Sequence, residues 1–240
     1  LPAQTAPERI VVLDASPAGE KVGARVATLN ADLSVVASAE QAGHEGIGAL
    51  AVMLETCLNE AGWETPDLVV VVIGPGSFTG LRTACALAAG LAFGAGCPVM
   101  GVTRGEALAP SLDALVTARG LDGWLCICGA RRGRWFVEES SSRRDTLRDT
   151  LAEVIAVQSA LWRPEPGSWL LAGDAAAEAL DQAGNERCQI APVCDADFRG
   201  IALAGLARLK GELPPRPALP LYVDPPEAKL PRAGLRATPR

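Results

Sequence analysis

Apolar residues in the first hundred positions recur with two different periods. Residues 9–14, RIVVLD, form a short apolar run that predicts a strand. GARVATLNADLSVVASAEQ, 23–41, alternates about a turn at Asn30 to Asp32 and predicts two more strands in a meander. From His44 onward, Ile47, Leu50, Leu54, Cys57 or Leu58, and Ala61 recur every three or four residues. That spacing predicts a helix over about 44–61, ended by Gly62. DLVVVVIG, 67–74, is continuously apolar and valine-rich, the pattern of a strand buried on both faces. Residues 79–93 predict a second helix, and CPVMGVT, 97–103, another strand.

The pattern then partly repeats. EALAPSLDALVTARG predicts a helix, and GWLCICGARRGRWFVEES a hairpin turning near ARRGR. A helix is expected over about 146–162, a strand at SWLLAG, a short helix at DAAAEALDQAG and an amphipathic helix at DFRGIALAGLARLKG. The first part of the Pro-rich end should pack and its last ten residues should not. The basic end of that tail could touch RNA, although a solvated end is the simpler expectation. Two α/β halves suggest a duplicated architecture, with a first lobe over 9–104, a smaller second lobe over 105–225 and a disordered tail over 226–240.

Composition narrows the function. The chain has 240 residues, and 49% are apolar, enough for a sizeable core. Lys and Arg total 22 against 28 Asp and Glu, a net charge of −6. Phosphate contacts dominate nucleic-acid affinity, so this balance argues that any RNA is held mainly by a partner. The seven cysteines include no CxxC pair, which points to reduced thiols in a cytoplasm. Cys126 and Cys128 share one strand face and read as core thiols, and the single histidine, His44, gives a metal site little help. No run reaches the roughly 20 apolar residues of a membrane span. The polar start, LPAQTAPER, does not read as a signal peptide. The expectation is a soluble, cytoplasmic protein without a membrane partner.

One segment carries candidate chemistry. Gly74, Pro75, Gly76, Ser77, Phe78, Thr79 and Gly80 join a strand to a helix, and Arg82 follows. The glycines space as GxGxxxG, one residue too long for a dinucleotide fingerprint, with no acidic residue on the next strand and no Walker GK[ST]. The free N–H groups and dipole of a helix start still permit anion binding, with Ser77 and Thr79 as caps and Arg82 as added charge. Spacing alone favours a tight structural turn. From Leu81 to Phe93 the polar side chains are Arg82 and Thr83, and most others are small. Such a helix must be covered on all sides. Either the chain's own sheet and second lobe cover it, or it joins the 44–61 helix in an apolar face for a partner protein.

IVVLDAS, GHEGIGALAVMLETCLNEAG, GPGSFTGLRTACALAAGLA and PVMGVTRGEALA, followed by CGARRGRWFVE, LLAGDAAAEAL and LPLYVDPPEAKLP, resemble the TsaB (YeaZ) family in order along nearly the whole chain. GPGSFTGLR is the most specific of these. The resemblance implies an α/β actin-like ATPase fold (that of sugar kinases, heat-shock chaperones and actin) with two related lobes. It implies a non-catalytic scaffold subunit that binds and activates a TsaD-like transferase. With a TsaE-like ATPase, that assembly places threonylcarbamoyl on the adenosine beside the anticodon of ANN-decoding tRNAs, so tRNA is an indirect partner. It implies docking through a bundle of the two first-lobe helices from each protein, which map here to about 44–61 and 79–93. The expected interface residues are Ile47, Leu50, Leu54, Leu81, Ala84, Leu87 and Ala88. The same helices would serve a homodimer when the partner is absent. No cofactor is expected in the chain itself, with ATP or ADP left open at the junction with the partner.

Alternatives can be weighed residue by residue. TsaD-like enzymes hold a metal with two histidines four apart and an aspartate, whereas here His44 is followed by Gly48, which argues strongly against a glycoprotease-like peptidase. Asp14 and Ser16 sit where the fold's first phosphate hairpin would be, and Gly173 with Asp174 could form a second phosphate turn in an ATP-binding kinase or transferase. Strand-end capping by Asp14 and helix capping by Asp174 are the competing structural roles. Two positions depart from the family pattern, with Gly129 in place of an aspartate and Asp224 in place of an arginine. Arg131, Arg132 and Arg134 make a basic hairpin tip, by default solvated.

Overall fold

A computed structural model describes residues 6–17, 23–141 and 154–223. The first sheet contains β1 (Arg9–Asp14), β2 (Gly23–Asn30), β3 (Val35–Ala42), β4 (Leu68–Gly74) and β5 (Val99–Thr103), in the order β3-β2-β1-β4-β5. The first three strands form the expected antiparallel meander, and β4 and β5 run parallel to β1. Alternation explains why β4 is apolar throughout and β1 apolar from Ile10 to Leu13. Val11 and Leu13 enter one core, Ile10 and Val12 the other.

Helices α1 (Gly43–Ala61) and α2 (Phe78–Ala95) cover the Val11 face. Gly62 and Gly96 end them in the left-handed conformation that glycine reaches without steric cost. Helices α3 (Arg104–Arg119) and α5 (Phe198–Leu209) cover the Ile10 face. On their far side lies the second sheet, formed by β6 (Gly123–Ala130), β7 (Arg134–Ser141), β8 (Ile155–Gln158), β9 (Trp169–Ala172) and β10 (Gln189–Ile190) in the order β10-β9-β6-β7-β8. Trp124, Cys126, Cys128, Leu170 and Ala172 of that sheet share one continuous core with Ile10, Val12, Leu108 and Ile201. Helix α4 (Ala176–Ala183) packs on the outer face of the second sheet. Gly205 of α5 lies so close to Val70 that a Cβ would sit 2.3 Å from its side chain. The first sheet ends at Thr103 and the second begins at Gly123, while α5 packs back on β1, β4 and β5 of the first.

One element differs from expectation. Within the helix expected over 146–162, residues Ile155–Gln158 form a strand and Ser159–Leu161 a single 3-10 turn. β8 pairs antiparallel with β7, from Arg134↔Gln158 to Val137↔Ile155. A ladder along the free edge of the hairpin overrides the local apolar spacing. Residues 146–153, Asp224 and the tail lie outside the described residues. The two-residue β10 was not anticipated.

Candidate functional site

The glycine loop is shaped by the chain's own backbone. A Cβ on Gly76 would stand 1.9 Å from the carbonyl oxygen of Ser16, and one on Gly80 would stand 2.0 Å from that of Ala15. No side chain fits at either distance, so these glycines let the start of α2 press on the end of β1. The Ser77 N–H donates to the Ser16 carbonyl at 2.9 Å, and the Ser77 hydroxyl caps α2 by accepting from the Gly80 N–H at 3.3 Å. Gly74 and Pro75 are buried and joined by a cis peptide. Phe78 and Thr79 are exposed. Arg82 lies 3.8 Å from the Phe78 ring centre and donates through Nε to the Tyr222 hydroxyl at 2.6 Å. Its partners are aromatic groups of the same chain.

Asp14 is likewise occupied. Its Oδ1 accepts from the Ser16 N–H (2.9 Å) and hydroxyl (2.6 Å), and its Oδ2 from Arg25 Nε (3.1 Å) and Nη2 (2.8 Å). Burial pushes this carboxyl up, but the Arg25 charge and the Ser16 hydrogen bonds outweigh it and hold the pKa below its ordinary value. The second-lobe turn repeats the theme. A Cβ on Gly173 would meet the Ile127 carbonyl oxygen at 2.3 Å, and the Ala175 N–H donates to that same oxygen at 3.1 Å. Asp174 does not cap α4, whose N-cap is Ala175. Its Oδ1 accepts from the Gly129 N–H at 3.1 Å and lies 3.6 Å from Nη1 of Arg104. Arg104 also donates to Asp195 at 2.8 Å. Both candidate phosphate turns are therefore closed against neighbouring backbone, and both acids are paired with arginines.

Sequence reasoning missed Arg25, Arg104 and Asp195. A signal existed for Arg104, a cation in the first turn of a helix, where the dipole disfavours it unless acids surround it. Arg25 becomes meaningful only once strand register places it opposite Asp14.

A second polar network joins the lobes. Glu138 of β7 accepts from the Thr103 hydroxyl (2.5 Å) and the Gly105 N–H (3.0 Å) at the start of α3. Beside it, Glu106 completes the α3 capping box and pairs with Arg208 of α5 at 2.5 Å, while Arg216 lies 3.7 Å from the same oxygen. Burial, reinforced by the charge of Glu106, pushes the Glu138 carboxyl up to about 7.

No group of three or more His, Cys, Asp or Glu among the described residues could hold a metal ion. His44 is exposed. Cys126 and Cys128 are buried with sulfurs 3.9 Å apart, and the contact with Cys128, together with burial, pushes the Cys126 thiol well up.

The helix surface corrects the residue assignment. Ile47, Leu50, Leu54, Leu81, Ala84 and Ala88 are all buried in the chain's own core, and Leu87 is half-buried against it. They form the inward stripe, because three-to-four spacing marks the face that covers the sheet. The outward stripe of α2 is Arg82, Ala86, Ala89, Gly90, Phe93 and Gly94, and on α1 it includes Gly48, Ala51 and Val52. Phe93 is 91% exposed and Val52 64%. Among the described residues, α2 is long and apolar enough to cross a membrane, contrary to the expectation from run length. Its inward stripe nevertheless packs on the first sheet as a core helix does.

The family model of TsaD, tRNA N6-adenosine threonylcarbamoyltransferase, matches residues 40–201, more than half of the chain. Among solved structures, a Pseudomonas aeruginosa protein described as uncharacterized with similarity to peptidase YEAZ superposes with a TM-score of 0.65 at 22% identity, covering 90% of this chain and 100% of that one. YeaZ from Pseudomonas aeruginosa superposes with a TM-score of 0.63 at 23% identity, covering 90% and 99%. At these identities the likeness is one of fold, and the fold is the two-lobed, actin-like one. No curated protein matches the sequence.

Proposed function

The chain belongs to the TsaD (tRNA N6-adenosine threonylcarbamoyltransferase) family as a TsaB/YeaZ-type protein, and from that premise we propose that it is the scaffold subunit of a tRNA-modifying assembly. In this reading it docks on a TsaD-like transferase through the outward face of α1 and α2 and stabilises the transfer-competent form of that enzyme. The observation that carries the reading is the outward stripe itself. Ala86, Ala89, Gly90 and Gly94 are small and let another helix approach closely, and Phe93 and Val52 offer apolar anchors. The closed phosphate turns and the Asp14–Arg25 pair favour this reading over an ATP-binding kinase. A TsaE-like ATPase and tRNA would join through the partner.

The test is threonylcarbamoyl transfer to tRNA by the matching TsaD-like and TsaE-like proteins, supplied with threonylcarbamoyl-adenylate, with wild-type chain or with Gly90→Glu. A Cβ on Gly90 meets nothing within 4 Å, so the variant should fold. Activity that requires the wild-type chain and is lost with Gly90→Glu is expected. Activity indifferent to the chain would overturn the scaffold role, and full activity with the variant would overturn the docking face.

A further inference from the structure

The segment after α5 crosses the edge of the first sheet and ends beside the start of α2. It runs flat against β5, where a Cβ on Gly101 would stand 2.6 Å from the Pro217 carbonyl oxygen. Ala218 and Leu221 pack against the core beneath α1 and α2, and the Leu221 N–H donates to the Ile73 carbonyl at 2.8 Å. Tyr222 is thereby fixed with its ring centre 5.6 Å from that of Phe78. Phe78, Tyr222 and Leu219 of the same segment are 50%, 45% and 64% exposed.

Arg82 is held in this patch without a counter-charge. Its guanidinium carbon lies 3.8 Å from the Phe78 ring centre, and its Nε donates to the Tyr222 hydroxyl at 2.6 Å. Arg25, Arg104 and Arg208 each pair with an acid, whereas among the described residues no carboxylate pairs with Arg82. Its Nη groups, the open end of a planar fork, donate to no described residue. Ring stacking and the tyrosine already orient the side chain, so little ordering cost remains for an incoming anion.

We propose that Arg82 is the charged anchor of the docking face and takes a carboxylate from a helix of the partner protein, with Phe78 and Tyr222 as the aromatic wall beside the pair. This assignment rests on the docking face proposed above. Arg82 shares the outward stripe with Ala86, Ala89 and Phe93, so a helix lying on the small residues also crosses the guanidinium. Ala86, Ala89, Gly90, Phe93 and Gly94 carry no charge, so pairing at Arg82 sets how far along the stripe the partner helix sits. A phosphate would also suit the fork. The aromatic and aliphatic surround and the net charge of −6 favour a protein side chain over RNA.

The test measures by calorimetry, without tRNA, how tightly the matching TsaD-like protein binds the full chain. Wild type, Arg82→Gln, Arg82→Glu and Ala89→Glu are compared at about 0.05 and 0.5 M salt. Arg82 is exposed, so its variants are expected to keep the wild-type thermal transition. Arg82→Gln should weaken binding at least about tenfold at low salt and reduce its salt dependence. Arg82→Glu should weaken it further, and replacing one acid on the partner's docking helices by arginine should recover it. Wild-type affinity in Arg82→Gln with binding lost in Ala89→Glu would overturn the anchor and leave the docking face standing. Wild-type affinity in both would overturn the face itself. A loss in Arg82→Glu that no such arginine recovers would overturn the carboxylate, and a loss confined to tRNA affinity of the assembly would assign Arg82 to RNA instead.

Discussion

Asp14 and Arg25 stand opposite each other across the antiparallel pair of β1 and β2, and two guanidinium nitrogens of Arg25 bond one carboxylate oxygen of Asp14 at 2.8 and 3.1 Å. With Ser16 on the other oxygen, the acid at the end of the first strand is satisfied within its own hairpin. Arg25→Ala should therefore strand a buried carboxylate and destabilise the fold by about 3 kcal/mol at pH 7, read by urea unfolding. The Asp14 pKa is lowered on folding, so its contribution is present above the unfolded value and is lost as pH falls through the folded one. The difference between wild type and variant should shrink below about pH 4. An unchanged midpoint at pH 7 would show that the pair is not stabilising.

The same substitution should have opposite signs at two glycines of α2. Gly80→Ala drives a methyl into the Ala15 carbonyl and should cost about 1–3 kcal/mol as the helix start is forced off β1. Gly90→Ala meets open space and should add about 1 kcal/mol through helix propensity. Chemical denaturation of both variants checks the pair. Equal effects would mean that Gly80 is not placed by contact with β1.

Adjacent alanines separate core from surface on one helix. Ala88 is fully buried and Ala89 exposed. Ala88→Glu should abolish folding, seen as loss of a cooperative thermal transition. Ala89→Glu should melt as wild type yet fail to co-purify with the TsaD-like partner. Co-purification of folded Ala89→Glu would remove this stripe from the interface.

Glu138 should make stability fall toward neutral pH. Its carboxyl is raised from 4.5 to about 7 by burial, so its contribution is fully present below about 4.5 and is lost as pH rises through 7. The loss is on the order of 3 kcal/mol across that window. Glu138→Gln removes the charge while keeping one acceptor oxygen, for the Gly105 N–H, with its NH2 group turned to the Thr103 hydroxyl oxygen, and should flatten the profile. A variant with the wild-type slope between pH 5 and 8 would assign that slope to other groups.

Local pattern determined much of this protein. The meander, the valine run of β4, the two first-lobe helices with their terminal glycines, and the failure of GxGxxxG as a nucleotide fingerprint follow from period, composition and spacing within short windows. The motif series also carried the family. Tertiary structure decided what no window contains. Apolar spacing showed that Leu50, Ala84 and Ala88 lie on a helix stripe, but that stripe points to whichever surface offers most burial, and here it is the chain's own sheet. Residues 155–158 took an edge strand because β7 offered unpaired backbone. The partners of Asp14, Arg104 and Glu138 lie 11, 91 and 35 positions away. Charge pairing at such separations depends on strand register and helix packing, and these exist only once the chain has folded.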